Sequence, residues 1–345
     1  MIDREMLKDF LSTSRLSVVA IIFFITILPT ISSLAEDVKS WERQRSEYRT
    51  VWLEFLGPMA SVRSIGKVYP PPTLDILEET EVDGFRRRKI RYESEKGRKT
   101  YAYLLIPKGV TKPVPGVVVF HATTKESYRQ GAGVDTVTEK SFGYHLTRRG
   151  YVVICPQCYI WDDDRPKAGY KQLAVEFRER NPASRGMARM LLDGQTATDI
   201  LVSLPEVDAT RIGCVGHSLG AKEALYLPAF DDRIVCSVSS EGGVGIEQSN
   251  WDAEWYLGPD VKKPEFPRSH RELVAVIAPR PFLLLGGDAS DGEASRPYID
   301  TATEVYRLYG SEKKIELFNH RKGHTLPPEA ERRIYDWFEK FLPVR

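Results

Sequence analysis

The chain predicts an α/β domain: a doubly wound, mostly parallel sheet preceded by antiparallel N-terminal strands. Three observations carry this. Six short runs, residues 115–120, 151–155, 212–216, 234–238, 281–285 and 315–318, are continuously apolar, as in strands buried on both faces. Segments with helical spacing lie among and after them, at 138–149, 188–204, 219–229, 299–308 and 328–342. Residues 74–110 read differently, as paired strands that turn at Asp83-Gly84 and Lys96-Gly97.

What precedes the sheet is distinct. Residues 16–28 form an uncharged apolar run between Arg15 and Pro29, and Ser33-Leu34-Ala35 supplies small residues before Glu36. That pattern predicts a signal peptide over 1–35 and a secreted or periplasmic protein. The rival reading is a retained membrane anchor, since residues 16–35 together could nearly cross a bilayer as a helix. The flank before the run is mixed, with Asp3, Glu5 and Asp9 balancing Arg4, Lys8 and Arg15. Residues 36–73 predict a helical extension, with Trp41, Tyr48, Val51, Trp52, Phe55 and Leu56 at helical spacing up to Gly57-Pro58. A proline-rich joint, Tyr69-Pro-Pro-Pro72, follows. Residues 74–345 are then one domain, in which the charged and aromatic stretch 157–185 is a cap or long loop over the sheet's carboxyl edge.

Composition narrows the function classes. The 345 residues carry 49 Lys+Arg against 48 Asp+Glu, a formal charge of +1, which gives no electrostatic case for a nucleic-acid partner. With 25 Gly and 22 Pro and no repeat, collagen-like and low-complexity classes are excluded. Of the four cysteines, Cys214 and Cys236 fall inside strand-like runs and read as buried thiols. Cys155-Pro-Gln-Cys158 has redox-motif spacing without a thioredoxin-like context, and a disulfide there stays open. No metal site and no cofactor site are assignable, and the acidic triplet Asp162–Asp164 reads as a solvated turn rather than a Ca²⁺ site.

The chemistry centres on Gly216-His217-Ser218-Leu219-Gly220. A G-x-S-x-G match alone is weak, but this one follows the strand 212–216 at once and opens the helix 219–229. A tight strand-to-helix turn lifts the serine hydroxyl above the sheet edge, and flanking glycines permit the close approach. The Leu219 N–H then lies at a helix N-terminus, where a developing oxyanion is favoured.

A serine nucleophile needs a base, and the base an orienting acid, which in this topology follow in the order Ser, acid, His. His324 is favoured as base over His320, because it follows Gly323 on the loop after the last strand. The acid should lie beyond the run 281–285, where Gly286-Gly-Asp288-Ala-Ser-Asp291-Gly292 offers two carboxylates; Asp291 is preferred to Asp288. Glu241, which ends the preceding strand in Ser239-Ser-Glu-Gly-Gly243, is a third candidate. The second oxyanion donor is expected from the loop His121-Ala-Thr123-Thr124, through the Thr123 N–H.

These residues resemble the α/β-hydrolase superfamily, and within it the dienelactone hydrolase and acetyl xylan esterase-like family. The resemblance spans roughly residues 74–345 and rests on His121-Ala-Thr-Thr, Gly216-His-Ser-Leu-Gly220, Pro279-Arg-Pro-Phe-Leu-Leu-Leu285 and Lys322-Gly-His324. It implies an α/β-hydrolase fold with a cap or loop insertion. By position it makes Ser218 the nucleophile, Asp291 the acid, His324 the base, and the Thr123 and Leu219 amides the oxyanion hole. The chain departs from the family at Ala122, where many members have Gly, and in the length of the acid loop. Ser218 at the elbow excludes the thiol nucleophile of dienelactone hydrolase itself.

The resemblance implies carboxylic-ester hydrolysis without fixing the acyl or alcohol group; the chain is read as acting on a small acyl or carbohydrate-linked ester. Trp251 and Trp161, with His121, are candidate substrate contacts, since aromatic faces suit sugar rings; core packing is the plainer role for each. Two other classes compete. An exopeptidase or acylaminoacyl-type peptidase normally brings a large extra domain, for which the N-terminal segment leaves little room. A non-catalytic binding protein would need its acid to miss His324.

Overall fold

A computed structural model describes residues 31–65 and 67–345. The expected signal segment, residues 1–35, lies outside the described residues except for helical backbone from Ile31 onward. Among the described residues no helix is long and apolar enough to cross a membrane.

Helix α1 is Ile31–Leu56, and residues 45–345 form one compact unit. In that unit, the end of α1 is an integral part of the body. Arg49 donates to the Ala229 carbonyl at 2.8 Å and pairs with Asp232, and Trp52 is fully buried with its indole N–H on Glu272 at 2.6 Å. The rings of Tyr226, Phe266 and His270 surround Trp52. The apolar spacing of 48–56 thus belongs to the core of the main body, not to a detached extension.

The sheet has nine strands: β1 (Asp75–Val82), β2 (Phe85–Glu95), β3 (Arg98–Pro107), β4 (Val114–Phe120), β5 (Val152–Pro156), β6 (Val207–His217), β7 (Ile234–Ser240), β8 (Phe282–Gly286) and β9 (Ile315–Asn319). Their order is β1-β2-β3-β5-β4-β6-β7-β8-β9. Pairs from β5 to β9 are parallel; β1–β2, β2–β3 and β3–β5 are antiparallel. β1 is an exposed edge whose acids oppose basic β2, with Glu81 across from Arg86, Glu79 from Arg88 and Asp75 from Arg91. Exposed pairs of this kind are individually weak, so β1 holds by backbone pairing more than by charge.

The helices are α2 (Tyr128–Gly131), α3 (Phe142–Thr147), α4 (Tyr170–Arg180), α5 (Gly186–Ser203), α6 (Leu219–Phe230), α7 (His270–Val276), α8 (Arg296–Leu308) and α9 (Pro328–Phe341). One face of the sheet presents Val117, Val119, Val153, Val215, Val238 and Leu283 to Phe142 of α3 and Ile334, Trp337 and Phe338 of α9. Alternate residues face the other way, where Cys214 Sγ meets the Ala224 carbonyl of α6 at 3.8 Å. Both faces are covered, which is why these strands are apolar throughout.

Three helices escape the sequence reading: α4, α7 and the four-residue α2. α4 sits in the 157–185 stretch, its apolar stripe of Leu173, Ala174 and Phe177 diluted by lysines, arginines and glutamates. α7 is only seven residues long and is capped by Ser269. The acidic triplet does lie at a turn, with Asp164 exposed, but its carboxylates are engaged by protein groups. Asp163 accepts from Lys89, Tyr128 and Gln157, Asp164 from Tyr101 at 2.6 Å, and Asp162 pairs with Arg165. The triplet therefore rivets the cap segment to β2, β3 and α2.

Candidate active site

Ser218 stands between β6 and α6 with φ 61° and ψ −115°. A side-chain-bearing residue reaches this region only when its surroundings impose it. The imposition is visible. A Cβ on Gly216 would lie 2.1 Å from the Gly220 carbonyl oxygen, and one on Gly220 would lie 2.4 Å from the carbonyl oxygen of Phe120. Both glycines are thus required by close backbone approach, and the Ser218 N–H is fixed on the Ser240 carbonyl at 2.8 Å. Leu219 begins α6, so its N–H belongs to the helix's unsatisfied first turn. Thr123 is exposed on the loop after β4, the neighbouring strand.

His324 lies on the loop after β9, beyond Gly323, which takes φ 70° and donates its N–H to the Gly287 carbonyl at 2.7 Å. The His324 ring is 4.8 Å from that of His217, the residue before Ser218. The His324 side chain is 42% exposed, enough to meet a substrate. His217 is buried, and burial pulls its imidazole well below the usual pKa, so it is neutral.

The carboxylate that meets His324 is Glu241, with Nδ1 and Oε2 3.3 Å apart. Glu241 is inaccessible, sits at φ 56° after β7, and accepts the backbone N–H groups of Gly287 and Ser290. With the acceptor on Nδ1, the proton resides there, and Nε2 is left free to accept one.

Asp291, the preferred candidate for the acid, does not meet His324. It lies in the loop after β8, but both oxygens are turned away from His324. Oδ2 accepts from Gly243 and Oδ1 from Val244, each at 2.7 Å, and the Ser295 hydroxyl adds a third bond at 2.9 Å. Asp288 fails too: it is exposed at φ 65° and accepts from Asn319 and the Glu293 N–H, closing its own loop. Glu241 reaches the imidazole because two glycines follow it and let the chain fold back beside β8.

Two aromatic candidates also take the plainer role. Trp251 is fully buried and donates its indole N–H to the Gly243 carbonyl at 2.7 Å, so no substrate can reach it. His121 is buried, with Nδ1 2.8 Å from the Ala122 carbonyl and Nε2 accepting the Cys158 N–H at 3.0 Å. It braces the oxyanion loop, and burial lowers its pKa to about 4. Trp161 remains half-exposed, edge-on to His121 at 4.9 Å. It borders a small polar pocket, with room of only about 20 Å³, shared with Arg98, Lys99 and Tyr159.

The sequence reading overlooked the turn that follows Glu241. Five backbone groups of that turn meet side chains: Lys222 on the Gly242 carbonyl, Asp291 on two N–H groups, Trp251 on the Gly243 carbonyl, His270 near the Val244 carbonyl. The run Gly242-Gly-Val-Gly245, too glycine-rich to hold its own shape, was the available signal. All four cysteines are free and buried, and among the described residues no group of His, Cys, Asp and Glu could hold a metal.

Comparison with known proteins agrees with this architecture. Residues 100–263 match the dienelactone hydrolase family. YtaP of Bacillus subtilis (strain 168), which carries the name of a hydrolase, is 30% identical over 258 residues, covering 69% of this chain and 84% of that protein. Dipeptidyl-peptidase 5 of Porphyromonas gingivalis is 22% identical over 241 residues, but the match spans only 33% of its length. Among solved structures, a glucuronoyl esterase from Solibacter usitatus superposes with TM-score 0.64 at 16% identity, covering 87% of this chain and 92% of that one. Methylesterase BT1017 gives TM-score 0.60 at 19% identity, covering 94% of this chain and 67% of that one. These structural likenesses establish an α/β-hydrolase fold. With that fold, the family match and the YtaP relationship, the chain belongs to the dienelactone hydrolase family and is a hydrolase acting on esters.

Proposed function

We propose that this protein is a serine carboxylesterase acting on a small acyl or carbohydrate-linked ester through Ser218, His324 and Glu241. The observation that carries the reading is the contact between His324 Nδ1 and the buried Glu241 carboxylate, with the His324 ring 4.8 Å from that of His217, the residue before Ser218. His324 Nε2 takes the Ser218 proton as Oγ attacks the ester carbonyl. Glu241 stabilises the imidazolium, and the Leu219 and Thr123 amides receive the oxyanion. Collapse expels the alcohol, which takes the proton from His324 and leaves an acyl-serine. Water, deprotonated by His324, then attacks the acyl carbon; the acid leaves and Ser218 regains its proton.

The names of the structural neighbours support the carbohydrate side of this reading, since glucuronoyl and acetyl xylan esterases are among them. A non-catalytic binding role is disfavoured, because a carboxylate does reach His324. Export through residues 1–35 is part of the proposal, and the mature N-terminus is expected after Ala35 when the protein is expressed with its export machinery.

The test is labelling by a fluorophosphonate together with turnover of acetylated sugars, methyl glucuronate esters and aryl esters. One equivalent of label on Ser218, and turnover that Ser218→Ala abolishes, is the expected result. Undiminished hydrolysis by Ser218→Ala would overturn the assignment.

A further inference from the structure

The strongest unassigned group is Lys222, a lysine buried one helical turn beyond Ser218 on α6. Lysine is almost never fully buried without a specific partner. Here Nζ donates to the Gly242 carbonyl and to the Ser249 hydroxyl, the latter at 2.8 Å. It also lies over the Trp251 ring at 4.3 Å and the Tyr256 ring at 5.2 Å. Gly242 is the residue after Glu241. The lysine therefore joins the helix that begins at the nucleophile to the turn that carries the acid.

We propose that Lys222 is a positioning residue for ester hydrolysis: its ammonium, gripping the Gly242 carbonyl, fixes the Glu241 turn relative to the helix of Ser218. This rests on the Ser218–His324–Glu241 reading. The geometry favours it over a purely structural role. Glu241 and Gly243 both take positive φ, so a glycine-rich turn without an outside grip has other conformations open to it. A displacement of Glu241 by a fraction of an ångström loosens its contact with His324 without touching the substrate surface.

The lysine's charge is part of the grip. Burial lowers its pKa to about 7, opposed only by the attraction of Asp291 from the loop after β8. From α7 it faces His270, itself neutral with a pKa of about 3, and from the segment 249–256 it faces Ser249, Trp251 and Tyr256. Above neutrality the ammonium becomes an amine, a weaker donor to the same carbonyl.

The test is Lys222→Met, which keeps the unbranched stem and removes a charge that burial penalises. The expected result is a ~10- to 100-fold fall in kcat, a KM within ~3-fold of wild type, and loss of an alkaline limb near pH 7 seen in wild-type kcat. Near-UV circular dichroism checks the fold. Ser249→Ala, which keeps the lysine and removes one acceptor, is expected to lower kcat by a smaller factor, ~3- to 10-fold, with KM unchanged. Wild-type kcat with the alkaline limb intact in Lys222→Met overturns the proposal, as does a raised KM at unchanged kcat, which would place the lysine on the substrate. Should Lys222→Met fail to fold, wild-type kcat in Ser249→Ala overturns it. Ser218→Ala and Glu241→Gln run alongside: full activity in either defeats the triad reading itself, a result separate from any Lys222 outcome.

Discussion

Asp291 accepts the backbone N–H of Gly243 at 2.7 Å, two residues past Glu241, so the two carboxylates of this site do different work on one turn. Glu241 faces the imidazole, and Asp291 holds the segment just beyond it. An Asn at 291 can accept from one of the Gly243 and Val244 amides, but its NH₂ then confronts a donor. Asp291→Asn is expected to lower stability by ~1–3 kcal/mol in urea unfolding, the cost of a buried unsatisfied group. Its kcat should fall less than that of Glu241→Gln; an equal fall would return Asp291 to the acid's role.

Glu241→Gln preserves shape and removes the charge that stabilises imidazolium. Removing the equivalent charge in a Ser-His-Asp triad costs about 10⁴ in kcat, so a loss of ~10³- to 10⁴-fold is expected here. Asp288→Asn, on an exposed carboxylate bonded to Asn319, should stay within ~3-fold of wild type. Steady-state kinetics on an aryl acetate distinguishes the two.

The backbone at Ser218 carries strain. Gly at this position adopts φ 61° and ψ −115° freely, whereas Ala retains the Cβ and hence the strain. Ser218→Gly is expected to be more stable than Ser218→Ala by about 1 kcal/mol, the strain relieved less the added unfolded-state entropy. Both should be inactive. Thermal unfolding of the pair in parallel measures the difference, and equal midpoints would mean that the elbow is unstrained.

Much of this was legible in the sequence because its signals are local. The β6 run, the glycines at 216 and 220 and the helix after Ser218 are contiguous, so periodicity and motif agree. His324 is likewise marked by its place after the last strand and by Gly323. Which carboxylate meets His324 was not legible, because that depends on how two loops fold against each other. Asp291 and Glu241 both follow sheet strands, and only the tertiary hydrogen bonds to Gly243 and Val244 show that Asp291 is already engaged. Trp251 misled for a related reason: a tryptophan near a rim motif looks accessible until its N–H is found on a buried carbonyl. Lys222 was invisible, since a lysine in an amphipathic helix normally faces water.

The four thiols should be silent in the native protein. Cys155, Cys158, Cys214 and Cys236 are all buried, and burial raises each pKa, so thiolate is scarce. Cys155 and Cys158 are unpaired despite their spacing. Titration with a thiol reagent is expected to find none reactive before denaturation and four after it, in the absence of reductant. Two missing thiols after denaturation would indicate a disulfide.

Stability should fall on mild acidification, through buried neutral histidines. Burial lowers His121 to about 4 and His270 to about 3, against an ordinary value of 6.5. Between pH 6.5 and about 4 the unfolded chain binds a proton at each position and the folded chain does not. Stability therefore rises with pH across that window and is lost as pH falls through it. The slope is up to about 1.4 kcal/mol per pH unit for each histidine, and His217, pushed well below its usual value, adds in the same direction. Lys222 acts at higher pH with the same sign: from about 7 to 10.5 the unfolded lysine keeps a proton that the folded one has lost. Urea unfolding at pH 5 and pH 7 is expected to show the lower midpoint at pH 5. His270→Gln should flatten that dependence, because glutamine has no proton to gain on unfolding. An unchanged slope in His270→Gln would mean that His270 is protonated in the folded protein, in conflict with its complete burial.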